Sequence, residues 1–133
     1  MGSIYRMAYT AIGDAVNVAA RIEPFTRTYQ VPIIVSEATM RESDRIFYRE
    51  LDMVTLKGKR ISTRLYQPLC LQQDADNNLY MQMEKQQAAL KAYYKNDLQT
   101  AHDIFTELSN SYPGDKYYGV MLAKITQTVI TSD

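Results

Sequence analysis

From Leu79 onward the chain shows helical periods only, whereas residues 1–71 carry strand and turn signals. Leu79, Met83, Leu90 and Tyr94 fall on one helical stripe, and Asn96-Asp97 breaks it. Leu98, Ala101, Ile104, Phe105 and Leu108 form a second stripe, which the sequence Ser111-Tyr112-Pro113-Gly114 stops. Asp115 is placed to cap a third helix with Tyr118, Met121, Leu122, Ile125 and Val129 on one face. Apolar residues recurring every three or four positions make such a face core-seeking. The polar stretch 72–78 reads as a linker. The layout predicted is therefore an α+β piece (1–71), a linker (72–78) and an all-α helical hairpin plus one helix (79–133).

Within the first piece, 4–12 reads as a strand running into the turn at Gly13-Asp14, and Asp14 as the N-cap of a helix over 15–23. Pro24 ends or kinks that helix, because its ring removes an amide donor. A second short turn follows over 25–29. The apolar run 31–35 reads as a buried strand with Pro32 near its start. Ser36 caps a helical stretch to about Glu42. Residues 47–57 read as a long strand whose alternation slips near Met53-Val54, the mark of a bulge. Lys57-Gly58-Lys59 is a turn, and 63–69 the return strand, ending at Pro68.

Composition removes several classes of function. The 133 residues contain 15 Lys+Arg and 15 Asp+Glu, so no basic surplus points to a nucleic-acid partner. The one cysteine, Cys70, excludes an internal disulfide and a multi-cysteine metal site. It has no basic neighbour in sequence and reads as a buried or inert thiol. The single histidine, His102, lies on the polar side of its helix without a ligand partner at metal spacing. No apolar run is long enough to cross a bilayer, so this segment implies no membrane contact.

One string concentrates the chemistry. Asn17 and Arg21 stand four apart after a glycine turn and share a helix face. An amide and a guanidinium on one face suit an oxyanion or a phosphate that gains charge in a transition state. Spacing alone does not distinguish this from a solvated polar stripe.

The whole string does. Ile12-Gly13-Asp14-Ala15-Val16-Asn17-Val18-Ala19-Ala20-Arg21 closely resembles the signature of class III adenylate and guanylate cyclases. Residues 2–10 resemble that family's approach strand, and Met1-Gly2-Ser3 thus reads as native sequence. Val31-Pro32-Ile33-Ile34-Val35-Ser36-Glu37, Glu50-Leu51-Asp52-Met53-Val54-Thr55-Leu56-Lys57-Gly58-Lys59 and Leu65-Tyr66-Gln67-Pro68-Leu69 are similar in order and spacing. The resemblance covers residues 2–69 and implies the C-terminal half of a cyclase domain, a partial ferredoxin-like antiparallel sheet with flanking helices.

It also implies roles. Asn17 would orient the ribose or its attacking 3′-hydroxyl, and Arg21 would stabilise charge on the phosphoryl group. Lys57 would contact the nucleotide phosphates. Thr10 falls where the family reads the base, and favours ATP over GTP. The implied reaction is attack of the 3′-hydroxyl on the α-phosphate, giving cyclic AMP and pyrophosphate. The family's Mg²⁺ or Mn²⁺ is held by two aspartates upstream of the Gly-Asp turn, and Asp14 is not one of them. Asp44, Asp52 and Asp74 lack ligand spacing and read as surface charge. The resemblance thus implies a fragment that is inactive alone, works as a homodimer, and has a cytoplasmic location, with any membrane anchor of the parent upstream.

In the helical half, Ala101, Phe105, Leu108 and Pro113 are spaced like the second helix of a tetratricopeptide unit, with Ala89 and Tyr93-Tyr94 near its first. Two uses follow: an extension that covers the cyclase sheet, or a protein-interaction module attached to a cyclase remnant. Tyr93-Tyr94 and Tyr117-Tyr118 sit at helical spacing and read as core before ligand site.

Overall fold

The computed structural model describes residues 19–56 and 62–131. It is a mixed α+β structure: an antiparallel sheet with short helices, then a run of long helices. A helical turn over 19–22 leads into α1 (Phe25–Tyr29). Then come β1 (Val35–Ser36), α2 (Glu37–Arg41), β2 (Ile46–Thr55) and β3 (Ser62–Leu71). After a 3₁₀ turn over Gln72–Asp74 follow α3 (Asn77–Tyr94), α4 (Leu98–Ser111) and α5 (Lys116–Thr131). The sheet order is β1-β3-β2, antiparallel throughout.

Local chemistry explains the boundaries. Pro24 does stop the first helical turn, yet its own backbone stays right-handed and serves as the N-cap of α1. Gln30 then takes a left-handed conformation (φ 59°), and the Val31 amide turns back to the Thr26 carbonyl. That closure uses Val31 as a helix terminator. Of the apolar run only Val35 pairs with β3, together with the following Ser36, and Ile33 is 54% exposed. The buried strand expected over 31–35 is thus a two-residue strand.

Side-chain caps start the later helices. The Ser36 hydroxyl accepts from the Thr39 amide at 3.2 Å, Asp76 Oδ1 from Leu79 at 2.8 Å, and Asp97 Oδ1 from Thr100 at 3.3 Å. The Asp76 cap starts α3 at Asn77, two residues before the apolar stripe begins. Asn96, with φ 64°, ends α3 in the left-handed region that Asn tolerates.

The β2–β3 ladder shifts register twice, between Phe47 and Tyr48 and between Glu50 and Asp52. The second shift leaves Leu51 as the extra residue, two positions before the slip expected at Met53-Val54. Pro68 does not end β3. It lies opposite Tyr48 beside the first shift, where a missing amide costs the ladder least.

The core runs through the whole described chain. Ile22, Tyr29, Val31, Leu51, Leu56 and Leu65 join Leu90, Phe105, Tyr117 and Met121 in one buried cluster. Tyr117 and Tyr118 are both fully buried, with Phe105 edge-on to Tyr117. Val129, placed on the third stripe by its spacing, is 47% exposed, so the buried face of α5 ends at Ile125.

Candidate functional site

Of the four site residues named from sequence, Arg21 lies among the described residues. Thr10, Asn17 and Lys57 lie outside them. Arg21 is exposed on the 19–22 turn, and its neighbour Ile22 is buried at 2%. A helix turns about 100° per residue, so seating Ile22 inward points Arg21 away from the core. Leu56, the residue before Lys57, is likewise 2% exposed. Ile22 and Leu56, next in sequence to Arg21 and Lys57, belong to the same core cluster and thus pack into one interior.

The residues around that anchor form a polar network that local sequence did not reveal. Asp52, read as surface charge, is 1% exposed at the centre of β2. It accepts from the Tyr29 hydroxyl at 2.6 Å, from Lys124 Nζ at 2.5 Å and from the Met53 amide at 2.7 Å. A carboxylate at this depth persists because it is paired and hydrogen-bonded. Burial alone pushes the Lys124 ammonium down, but the Asp52 charge and hydrogen bond override it and leave the group raised. Burial and then Asp52 raise the Tyr29 phenol. The Tyr93 phenol, beside the same pair, is raised for the same reasons.

On the same strand, the Arg49 guanidinium makes a two-pronged pair with Asp115, at 2.5 and 3.1 Å, and donates to Gln67 at 2.8 Å. It also stacks 4.7 Å from the Tyr117 ring centroid. Asp115, expected only as a helix cap, accepts weakly from the Tyr117 amide at 3.3 Å, and its main partner is Arg49. Glu50 faces the other way, with Arg64 at 3.7 Å. Its Oε2 and the Tyr94 hydroxyl are buried without a hydrogen-bond partner. Burial, then the Glu50 carboxylate, pushes the Tyr94 phenol up.

The bulge explains why the helices dock where they do. An extra strand residue disrupts the ladder and frees backbone groups that need partners. The Tyr117 hydroxyl donates to the Leu51 carbonyl, and Gln86 Nε2 to the Glu50 carbonyl at 2.7 Å. Gln86 in turn accepts from the Tyr118 hydroxyl at 2.8 Å. The helical half therefore covers the sheet through specific polar contacts as well as apolar ones. A signal for this was present in Gln86, a polar residue on the same face as Leu79, Met83 and Leu90.

An open groove of about 510 Å³ lies between Leu69, Leu79, Met83 and the Tyr112–Asp115 turn, and Arg49 in its lining is already held by Asp115. His102 is exposed as expected, and Cys70 half-buried. Asp44 and Asp74 are exposed. Among the described residues no three His, Cys, Asp or Glu side chains gather as a metal ion would require. No helix among them is long and apolar enough to cross a membrane.

Comparison with known proteins bears on what this scaffold carries. The chain is 28% identical over 136 aligned residues to the terminal-differentiation specific adenylate cyclase of Dictyostelium discoideum, an alignment spanning 98% of this chain. It is 32% identical over 68 residues to adenylate cyclase 1 of Rhizobium meliloti, and 37% identical over 71 residues to the adenylate cyclase of Anabaena cylindrica. The chain is related to adenylate cyclases. The two bacterial alignments each span 50% of it, whereas the Dictyostelium alignment takes in the helical half as well. The chain spans only 6%, 10% and 14% of the length of these cyclases. No family model and no solved structure matches it.

Proposed function

We propose that the chain is the C-terminal part of a class III adenylate cyclase catalytic unit, closed by a tetratricopeptide-like helical extension over 79–133. The observation that carries this reading is the set of adenylate cyclase alignments, one of which runs through both halves. In this reading Asn17 orients the ribose, Arg21 stabilises charge on the α-phosphate, Lys57 holds the phosphates and Thr10 selects ATP. Arg21 supports it by being exposed and outward-facing beside a buried anchor, a placement open to a substrate. A fixed guanidinium aimed at a phosphoryl group that gains charge is worth most when it needs no reorganisation during the step.

The ligands of Mg²⁺ or Mn²⁺ are assigned outside this chain, and the active unit to a homodimer that completes the site. Residues 1–133 alone are then expected to make no cyclic AMP from ATP and Mn²⁺, whereas the full-length enzyme does. Robust turnover by residues 1–133 would defeat the assignment of the metal ligands. Failure of the full-length protein to form cyclic AMP would defeat the reading itself.

A further inference from the structure

Three elements meet at one buried carboxylate. Asp52 belongs to β2, Tyr29 closes α1, and Lys124 lies on α5. Lys124 Nζ reaches Asp52 Oδ2 at 2.5 Å and the Tyr29 hydroxyl at 3.0 Å, and it lies 5.1 Å from the Tyr29 ring centroid. Tyr29 itself donates to the same Asp52 oxygen at 2.6 Å. The three groups close a triangle of contacts that ties a sheet strand, the segment behind Arg21 and the C-terminal helix to one point.

We infer that Lys124 is a positioning residue for Arg21, holding the 19–29 segment against β2 and α5 so that the guanidinium keeps a fixed direction from the sheet. The inference rests on the adenylate cyclase reading above. Its geometry is specific to this chain. The 19–29 segment is not one stiff helix, since Glu23-Pro24 interrupts it with turn residues. The direction of the Arg21 turn is therefore set by where the segment is seated rather than by helix rigidity. Two seats are visible: Ile22, beside Arg21, and Tyr29, seven residues on, both buried in the same cluster. Ile22 is held by packing, which tolerates sliding. Tyr29 is held by directed bonds to Asp52 and Lys124, which do not.

Lys124 has what this task needs. Its side chain is 35% exposed while Asp52 is at 1%, so it supplies the counter-charge from the rim of the buried site. Without that counter-charge the carboxylate is left uncompensated in the interior, and the contact between strand and helix must rearrange. A residue that acts on a transition state is sensitive to such rearrangement, because a shift of about 1 Å at a reacting group costs on the order of 10²-fold in rate.

The test uses the full-length enzyme with ATP and Mn²⁺, measuring kcat and KM per folded molecule, with folding followed by circular dichroism. Lys124→Met is expected to lower kcat about tenfold or more with KM within about twofold, because the lost alignment acts in the transition state. Tyr29→Phe, which keeps the ring and removes the directed bond, is expected to lower kcat by about threefold on the same ground. Lys124→Arg keeps a cation over Asp52 and restores most of the rate. Lys85→Met, which breaks the exposed Lys85–Glu107 pair, leaves kcat unchanged. If Lys124→Met does not fold, Tyr29→Phe decides. Wild-type kcat in the folded variants, while Arg21→Ala abolishes turnover, overturns the positioning role and leaves the cyclase reading intact. Wild-type kcat in Arg21→Ala overturns both.

Discussion

Tyr94 and Tyr118 both place a phenol inside the core, but only one of the two hydroxyls is satisfied. The Tyr118 hydroxyl accepts from Gln82 and donates to Gln86, each at 2.8 Å, whereas the Tyr94 hydroxyl lies against the Glu50 carboxylate without a well-formed hydrogen bond. A buried hydrogen bond contributes about 1 kcal/mol net, and an orphaned polar atom costs a comparable amount. Tyr118→Phe is therefore expected to lower unfolding free energy in urea by about 1 kcal/mol, and Tyr94→Phe to be neutral or stabilising. A loss at Tyr94 equal to that at Tyr118 would reveal a hidden partner. Burial pushes the Tyr118 phenol up to about 12. The unfolded chain gives up that proton near pH 10, before the native state does, so stability falls as pH rises from about 10 towards 12. Between pH 8 and pH 11, Tyr118→Phe should lose less stability than the wild type. An equal or steeper loss would contradict that sign.

The element that most shapes the molecule is the bulge at Leu51. It frees two carbonyls of β2, and Gln86 on α3 and Tyr117 on α5 take them up. Gln86→Leu removes the donor to the Glu50 carbonyl and the acceptor of the Tyr118 hydroxyl, which keeps Gln82, and is expected to cost about 2–3 kcal/mol. A cost under about 0.5 kcal/mol would mean that the sheet does not depend on that contact. Much at this scale was legible in sequence. The apolar stripes gave α3 and α4, and Ser36 announced the cap of α2, because those signals are local. The run 31–35 misled, since Gln30 and Val31 close α1 instead of opening a strand. Asp52 was illegible for a different reason: its partners Tyr29 and Lys124 lie 23 and 72 residues away in sequence. Of the candidate site, the motif points to Arg21 as an expectation, while the network that seats its segment appears only in three dimensions.

As a whole, the described chain has one core shared by sheet and helices, and its charges are matched across that boundary by Arg49–Asp115 and Asp52–Lys124. Elements that share a core unfold together. Urea unfolding followed by far-ultraviolet dichroism and by tyrosine fluorescence should give coincident transitions, and two separated transitions would show that the helical half stands alone. Asp115→Ala, which strips Arg49 of its carboxylate, is expected to shift that single transition by about 2–3 kcal/mol. The proposed function has Arg21 and Asn17 act on a nucleotide. It is tested most directly by cyclic AMP formation in the full-length enzyme carrying Asn17→Ala and, separately, Arg21→Ala. The account expects kcat to fall by about 10²-fold or more in each, with ATP binding little changed, since both residues act on the transition state. Turnover equal to wild type in either variant would contradict it.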